Sequence, residues 1–366
     1  MHKHQRSTAM FTKLTEKLDS YLEMGLPFYD CIVMKDGNCV YRHSGGFTDS
    51  AKTVKVTGRE KYNIYSCTKL ITCTAALQLW ERGLYSLDDK LSDYLPEFAE
   101  MSVCVDGVTE PANAPILIRN LFTMTAGFSY NLNSPGLALC RKETEGRCPT
   151  REAIRYLAKD PLIFHPGERY AYSLCHDVLA ALVEVISGMS FGEYVKKNIF
   201  EPLGMKNSTF MLPDDRLDEI INQYAYNEEK GVYERNKHIP FKLGSEYESG
   251  GAGCISTVDE YINFIEAMRI GDVILKKETI DMMATNQLDE KQLPTYGNPA
   301  YGYGLGQRCP KDDTRSDFGW GGAAGAFYAI DRKNGITVYL GTHIIDFTPY
   351  QGRRGEILQI IQEILK

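Results

Sequence analysis

Apolar positions change their spacing along the chain, and the changes mark its elements. Near the N-terminus Phe11, Leu14, Leu18 and Leu22 recur at helical spacing and predict an amphipathic helix. Residues 28–45 switch to two extended runs around Asp36-Gly37, the pattern of a β-hairpin. Residues 66–83 return to helix, with Ala75, Ala76, Leu79 and Trp80 on the recurring positions and Gly83 suited to the C-cap. The stretch 84–240 is broken by turn signals and carries several helical runs. DVLAALVEVISG is the clearest of them, with Val178, Leu182, Val185 and Ile186 on one predicted face. Past Gly250-Gly251, ISTVDEYINFIEAMRIG predicts a helix with Ser256 or Thr257 near its N-cap. AFYAIDRKNGITVYLGTH predicts a second hairpin turning at Asn334-Gly335, and GEILQIIQEILK a closing amphipathic helix.

Strands thus gather at both ends of the sequence and helices fill the middle. The simplest architecture is α+β: a discontinuous sheet domain from residues 1–75 and 241–366, with a helical domain, 76–240, inserted. The 366 residues can bury a large core. A formal net charge of -7 argues against nucleic acid or an anionic membrane surface as partner. No run of about eighteen apolar residues predicts a membrane span. The basic start lacks an apolar h-region, so a cytoplasmic location is the default expectation. Ten cysteines without a secretion signal are expected to be reduced. None is spaced C-x-x-C, and Cys175-His176 stands alone as a Cys/His pair, so neither metal nor other cofactor is expected.

One polar cluster, Ser66-Cys67-Thr68-Lys69, opens the helix at 66–83. Positions i and i+3 share a helix face, so the Ser66 hydroxyl and the Lys69 amine can meet. The serine would also lie at the positive end of the helix dipole. A serine hydroxyl is a poor nucleophile until a base removes its proton. Lys69 can be that base if its pKa falls by about three units from ~10.4, and burial against LITCTAALQLW could supply much of this. This is the sole Ser-x-x-Lys in the chain.

From about residue 30 to the C-terminus the chain resembles the serine β-lactamase-like superfamily, which includes penicillin-binding proteins. The branch holding class C β-lactamases and family VIII carboxylesterases is the nearest. The resemblance rests on the order of YSCTK (65–69), RNLFTMTAGFSY (119–130), FHPGERYAYSL (164–174), IFEPLGM (199–205), YESGGAGCIST (247–257), YGYGLG (301–306) and WGGAAGAFYAID (320–331). It implies an antiparallel sheet flanked by N- and C-terminal helices, with the active site in the cleft to the helical domain. It implies Ser66 as nucleophile, with Lys69 and Tyr172 sharing general acid–base duty. Tyr170 is a rival, disfavoured because Ser173 follows Tyr172 as in many esterases. Leu174 stands where β-lactamases carry an asparagine that contacts the substrate amide. No Lys-Thr-Gly triplet occurs; Trp320-Gly321-Gly322 takes its place, on what the family makes an edge strand. An aromatic and a glycine there favour neutral, apolar substrates. By position, the N–H groups of Ser66 and Ala323 would form the oxyanion hole.

Two sequence features compete with this assignment. Tyr261-Ile262-Asn263 repeats the family's Tyr-x-Asn, but Tyr261, Phe264, Ile265 and Met268 have core spacing. GMSFG at 188–192 matches the Gly-x-Ser-x-Gly nucleophile elbow, which needs a strand before it. Here a helix precedes, so Gly188 reads as a C-cap and Ser190, with Glu193, as a capping box. His343 and His176 are the possible bases for Ser190, although His176-Asp177 fits the cap of a helix starting at Val178. Phe128 and Tyr130 are expected to wall the cleft from the helical side, and Tyr301 and Tyr303 from the sheet side. The expected function is a serine hydrolase acting through an acyl-enzyme on short acyl or aryl esters, with a small-molecule ester or amide as substrate. The alternatives are β-lactamase or D-amino-acid peptidase/amidase activity, or a non-catalytic binding protein. Should β-lactams prove the better substrates, another residue such as Arg308 must supply the missing cation.

Overall fold

The computed structural model describes residues 10–239, 241–345 and 352–365. After helix α1 (Thr12–Glu23), strands β1 (Phe28–Lys35) and β2 (Asn38–Gly46) form the first predicted hairpin. Helices α2 (Thr68–Glu81), α3 (Cys175–Ser187) and α4 (Val258–Ile270) follow. Strands β3 (Tyr301–Tyr303), β4 (Arg308–Pro310), β5 (Asp317–Gly321), β6 (Gly325–Asp331) and β7 (Ile336–Ile345) precede helix α5 (Arg353–Leu365). The sheet runs β2-β1-β7-β6-β5-β4-β3, antiparallel at each step, so the first and last hairpins of the chain meet at β1 and β7. Tyr224–Asn227 adds a short parallel pairing at Ile344 and Ile345 that no periodicity announced.

Both faces of this sheet are covered. Tyr328 and Tyr339 pack their rings on Tyr261 of α4, at 5.8 and 4.6 Å. Their neighbours Ala329 and Val338, on the other face by strand alternation, line the gap beneath Leu358 and Ile361 of α5. Double burial explains why β6 and β7 read as near-continuous apolar runs. Helix α5 also meets α1, where Tyr21 OH donates to Glu356 at 3.0 Å.

The central helices depart from their predicted faces. Every residue of α2 from Thr68 to Leu79 is buried, and α3 is buried without a break from Cys175 to Val183. The two pack on each other, so neither has a solvent face over most of its length. Val185, assigned to the inner face, is 42% exposed. Thr257 is the cap of α4, its hydroxyl accepting from Glu260 N at 3.2 Å. β5 is not at the sheet edge, because β4 and β3 extend the sheet beyond it. All ten cysteines are free thiols. Among the described residues no single helix is long and apolar enough to cross a membrane.

Candidate active site

The predicted helix start divides in two. Tyr65–Cys67 form a 3-10 turn, and the α-helix proper begins at Thr68. Tyr65 has φ +49°, a left-handed conformation that costs a non-glycine residue energy and persists where surroundings impose it. They do so here: the Tyr65 ring packs edge-on against Phe241 at 4.8 Å, and its hydroxyl donates to Gln223. Tyr261 OH donates to Cys67 O at 2.8 Å, so the core tyrosine of the false Tyr-x-Asn braces this turn from below.

Ser66 Oγ is the meeting point of two donors. Tyr172 OH donates to it at 2.6 Å and Lys69 Nζ at 3.2 Å. Lys69 also donates to Gly251 O at 2.7 Å and is fully buried. The Tyr172 ring lies between Tyr130, stacked at 5.3 Å, and Trp320, stacked at 5.8 Å. Trp320 is backed in turn by Tyr303 at 5.4 Å. Three elements distant in sequence thus fix one phenol oxygen against one serine. Tyr170 is engaged elsewhere, edge-on to Tyr296 at 4.9 Å and Tyr303 at 5.0 Å.

The charge state of Lys69 differs from the expectation. Burial acts to lower its pKa, but Tyr130, Tyr172 and Asp177 act in the opposite direction, and the net shift is upward. These surroundings favour the ammonium form of Lys69, where the sequence suggested a lowered pKa. Burial raises Tyr130 to about 12, with the Lys69 charge partly offsetting it.

The turn after β5 comes close to the serine. Gly322 N donates to Ala326 O at 2.8 Å, and a Cβ on Gly322 would stand 2.5 Å from Ile64 O, so only glycine permits this approach. Ala323 is exposed beside it and lines the same cleft as Ser66. That cleft, about 660 Å³, is also lined by Tyr170, Tyr172, Trp320, Gly321 and Gly322. A larger hollow of about 870 Å³, beside the 102–111 hairpin, contains none of these groups.

Several expected wall residues lie elsewhere. Phe128 is buried against Phe98, ring to ring at 5.6 Å, and Leu174 is buried at the N-terminal end of α3, its carbonyl accepting from Asp177 N at 3.0 Å. Neither lines the cleft, because both complete the core of the helical layer. Tyr130 borders Tyr172 instead of the opening, and Tyr301 is interior, donating to Asp317 at 2.9 Å.

The cleft gains Tyr296, Asn298 and Arg354, which the sequence reading did not assign to it, and also Arg308, which it named only as a conditional source of positive charge. Arg308 Nη2 lies 2.8 Å from Asp317 Oδ2, and its guanidinium stacks 4.1 Å above the Tyr301 ring. Arg354 is lowered to about 10, first by burial and then by Arg308. With Arg308 paired to Asp317, Arg354 adds a positive charge to this wall, from an element other than the Trp320 turn that lacks one. The sequence offers Arg308 only as the source of a cation should β-lactams be the better substrates; Arg354 comes from α5, whose local sequence carries no hint of a site.

The competing serine is structural. Gly188 caps α3 with φ +69°, and Ser190 Oγ accepts from Glu193 N at 3.3 Å at the start of helix Phe191–Val195. α3 begins at Cys175, three residues before the predicted start at Val178, so His176 and Asp177 lie in its first turn and not in its cap. His176 Nε2 is 3.6 Å from Cys73 Sγ. His343 Nδ1 donates to Ile221 O at 2.9 Å, and burial pushes its pKa down to about 4. The unfolded chain would then take up a proton at His343 near pH 6.5 that the native state refuses until about pH 4. Its contribution to stability is complete above pH 6.5 and is lost as pH falls toward 4. Between pH 7.5 and 5 this one group should cost about 2 kcal/mol. Urea denaturation at both pH values should show that loss in the wild type and not in His343→Gln; equal losses would exclude the effect.

In this α+β scaffold one serine hydroxyl is flanked by a lysine amine and a phenol, at a helix start beside a glycine-rich turn. The Beta-lactamase family model matches residues 29–351, and the chain belongs to that family. It is 28% identical over 355 residues to Esterase EstB of Burkholderia gladioli, covering 89% of this chain and 87% of that one. It is 29% identical over 298 residues to the monacolin J acid methylbutanoyltransferase of Aspergillus terreus, with 76% and 71% covered. The solved structure of EstCE1, a hydrolase with promiscuous acyltransferase activity, superposes with a TM-score of 0.80 at 22% identity, covering 98% of this chain and 99% of that one. The chain is accordingly a serine hydrolase of the β-lactamase fold, which leaves the binding-protein alternative without support.

Proposed function

We propose that the protein is an esterase that works through an acyl-enzyme on Ser66, in the cleft between the sheet domain (1–75 and 241–366) and the helical domain (76–240). The observation that carries this is the convergence of Tyr172 OH and Lys69 Nζ on Ser66 Oγ at 2.6 and 3.2 Å. Lys69 and Tyr172 share the proton handling, because both donate to the same oxygen, Ser66 Oγ. With the pair short of one proton, the Tyr172 oxygen takes the Ser66 proton as Oγ bonds to the acyl carbon. The Lys69 ammonium stabilises the negative charge nearby, and the Ser66 and Ala323 N–H groups receive the oxyanion. The proton then passes to the departing alkoxide as the ester C–O bond breaks. Water repeats the sequence in reverse: its proton goes to the pair, its oxygen bonds to the acyl carbon, and Ser66 is released reprotonated.

Short acyl or aryl esters fit the stacked Tyr172–Trp320 surface best. The absence of a Lys-Thr-Gly cation argues less strongly against β-lactams, because Arg354 lines the same cleft beside the Arg308–Asp317 pair. The preference for esters rests on the buried Leu174 in place of an asparagine and on the readier departure of an alkoxide than of an amine. The value of kcat/KM for p-nitrophenyl butyrate should exceed that for nitrocefin on one preparation. A higher value for nitrocefin would make the protein a β-lactamase. The relatives favour a second reading in which an alcohol replaces water in the second half. Product analysis with an added alcohol distinguishes transfer from hydrolysis.

A further inference from the structure

Lys69 is fully buried, yet it donates to neutral oxygens, Ser66 Oγ and Gly251 O, and forms no ion pair within 4 Å among the described residues. A buried ammonium without counter-charge is strongly destabilising. The nearby α3 carries a candidate that the reaction scheme leaves unused. Asp177 is buried, and its Oδ1 accepts from Tyr247 OH at 2.8 Å and Ser249 Oγ at 2.7 Å. Its Oδ2 is buried and has no hydrogen-bond partner among the described residues. A Cβ built on Gly251 would stand 2.6 Å from that oxygen and 3.4 Å from Lys69 Nζ. The glycine therefore leaves the carboxylate and the ammonium facing one small gap with no side chain between them. The phenols of Tyr130 and Tyr172 and the neutral pair Cys73 and His176 complete the surroundings.

We propose that Asp177 is a positioning residue for the hydrolase reaction, its carboxylate being the fixed counter-charge that holds the Lys69 ammonium against Ser66. The Tyr247 and Ser249 hydroxyls orient it by occupying Oδ1, so that Oδ2 is left for the lysine. This role rests on the acyl-enzyme reading above and goes beyond it. Asp177 touches neither substrate nor serine, and the sequence offered it only as part of a helix cap.

Asp177→Asn keeps the shape and an acceptor for Tyr247 and Ser249 while removing the charge. We expect kcat for p-nitrophenyl butyrate to fall about 10- to 100-fold with KM within about threefold, because a charge-assisted contact to the proton-transfer pair is lost, not a substrate contact. Fluorophosphonate labelling of Ser66 should slow by a similar factor. If the wild type is not labelled at Ser66, the acyl-enzyme reading fails; if Asp177→Asn is labelled and turns over at the wild-type rate, the role of Asp177 fails. Stability gives an independent arm. Asp177→Asn leaves the buried ammonium without its nearby counter-charge, so Lys69→Met should lower Tm in the wild-type background and raise it in the Asp177→Asn background. A double variant no more stable than Asp177→Asn alone would overturn the pairing.

Discussion

Ser66→Ala will lose ester hydrolysis by at least about a thousandfold, with little change in Tm. The loss follows from removing the one oxygen on which both proton-handling groups converge. The fold should tolerate it because Lys69 keeps its bond to Gly251 O, and Tyr172 keeps its stacking between Tyr130 and Trp320. Tyr65 and Cys67 stay braced by Phe241, Gln223 and Tyr261. Covalent labelling by a fluorophosphonate should vanish in this variant and persist in Ser190→Ala, whose serine caps a helix. The opposite pattern would move the nucleophile to the Gly-x-Ser-x-Gly stretch.

Tyr172→Phe comes next in size. It deletes a single oxygen, the one 2.6 Å from Ser66 Oγ, and leaves the ring to stack as before. Loss of a positioned general acid–base typically costs about a hundred- to ten-thousandfold. We expect kcat to fall in that range and KM to stay within a few-fold, since a ring of the same shape still borders the cleft. Lys69 remains within reach of Ser66 Oγ, so residual activity above that of Ser66→Ala is expected. The comparison with Tyr170→Phe is decisive. Tyr170 is held by Tyr296 and Tyr303 and makes no bond to the serine, so that variant should retain most of its activity. A loss confined to Tyr170→Phe would assign proton transfer to the rival tyrosine.

The sequence alone determined the features that depend on neighbours a few residues apart. Turn residues at Asp36-Gly37 and Asn334-Gly335 placed two hairpins, because backbone conformation there is set locally. The i, i+3 spacing brought Ser66 and Lys69 together, and the Ser190–Glu193 capping box disposed of the false nucleophile by local hydrogen bonding alone. Tyr172 and the Trp320 turn entered through resemblance to a family. Tertiary structure decided the rest, through contacts that cross long stretches of chain. The central helices are buried on all sides over most of their length and lose the one-sided pattern that sequence reading relies on, and the burial of Leu174 and Phe128, which lie outside those helices, depends on long-range packing. Arg354 reaches the cleft only because α5 packs back on the sheet, and Asp177 faces Lys69 only because α3 lies along α2. The charge of Lys69 is the sharpest case. Burial acts to lower its pKa, as its apolar flank suggested, but Tyr130, Tyr172 and Asp177 from other elements act in the opposite direction, and the net shift is upward. Spacing along a chain fixes which groups share a local face; solvation and charge depend on everything that packs against them.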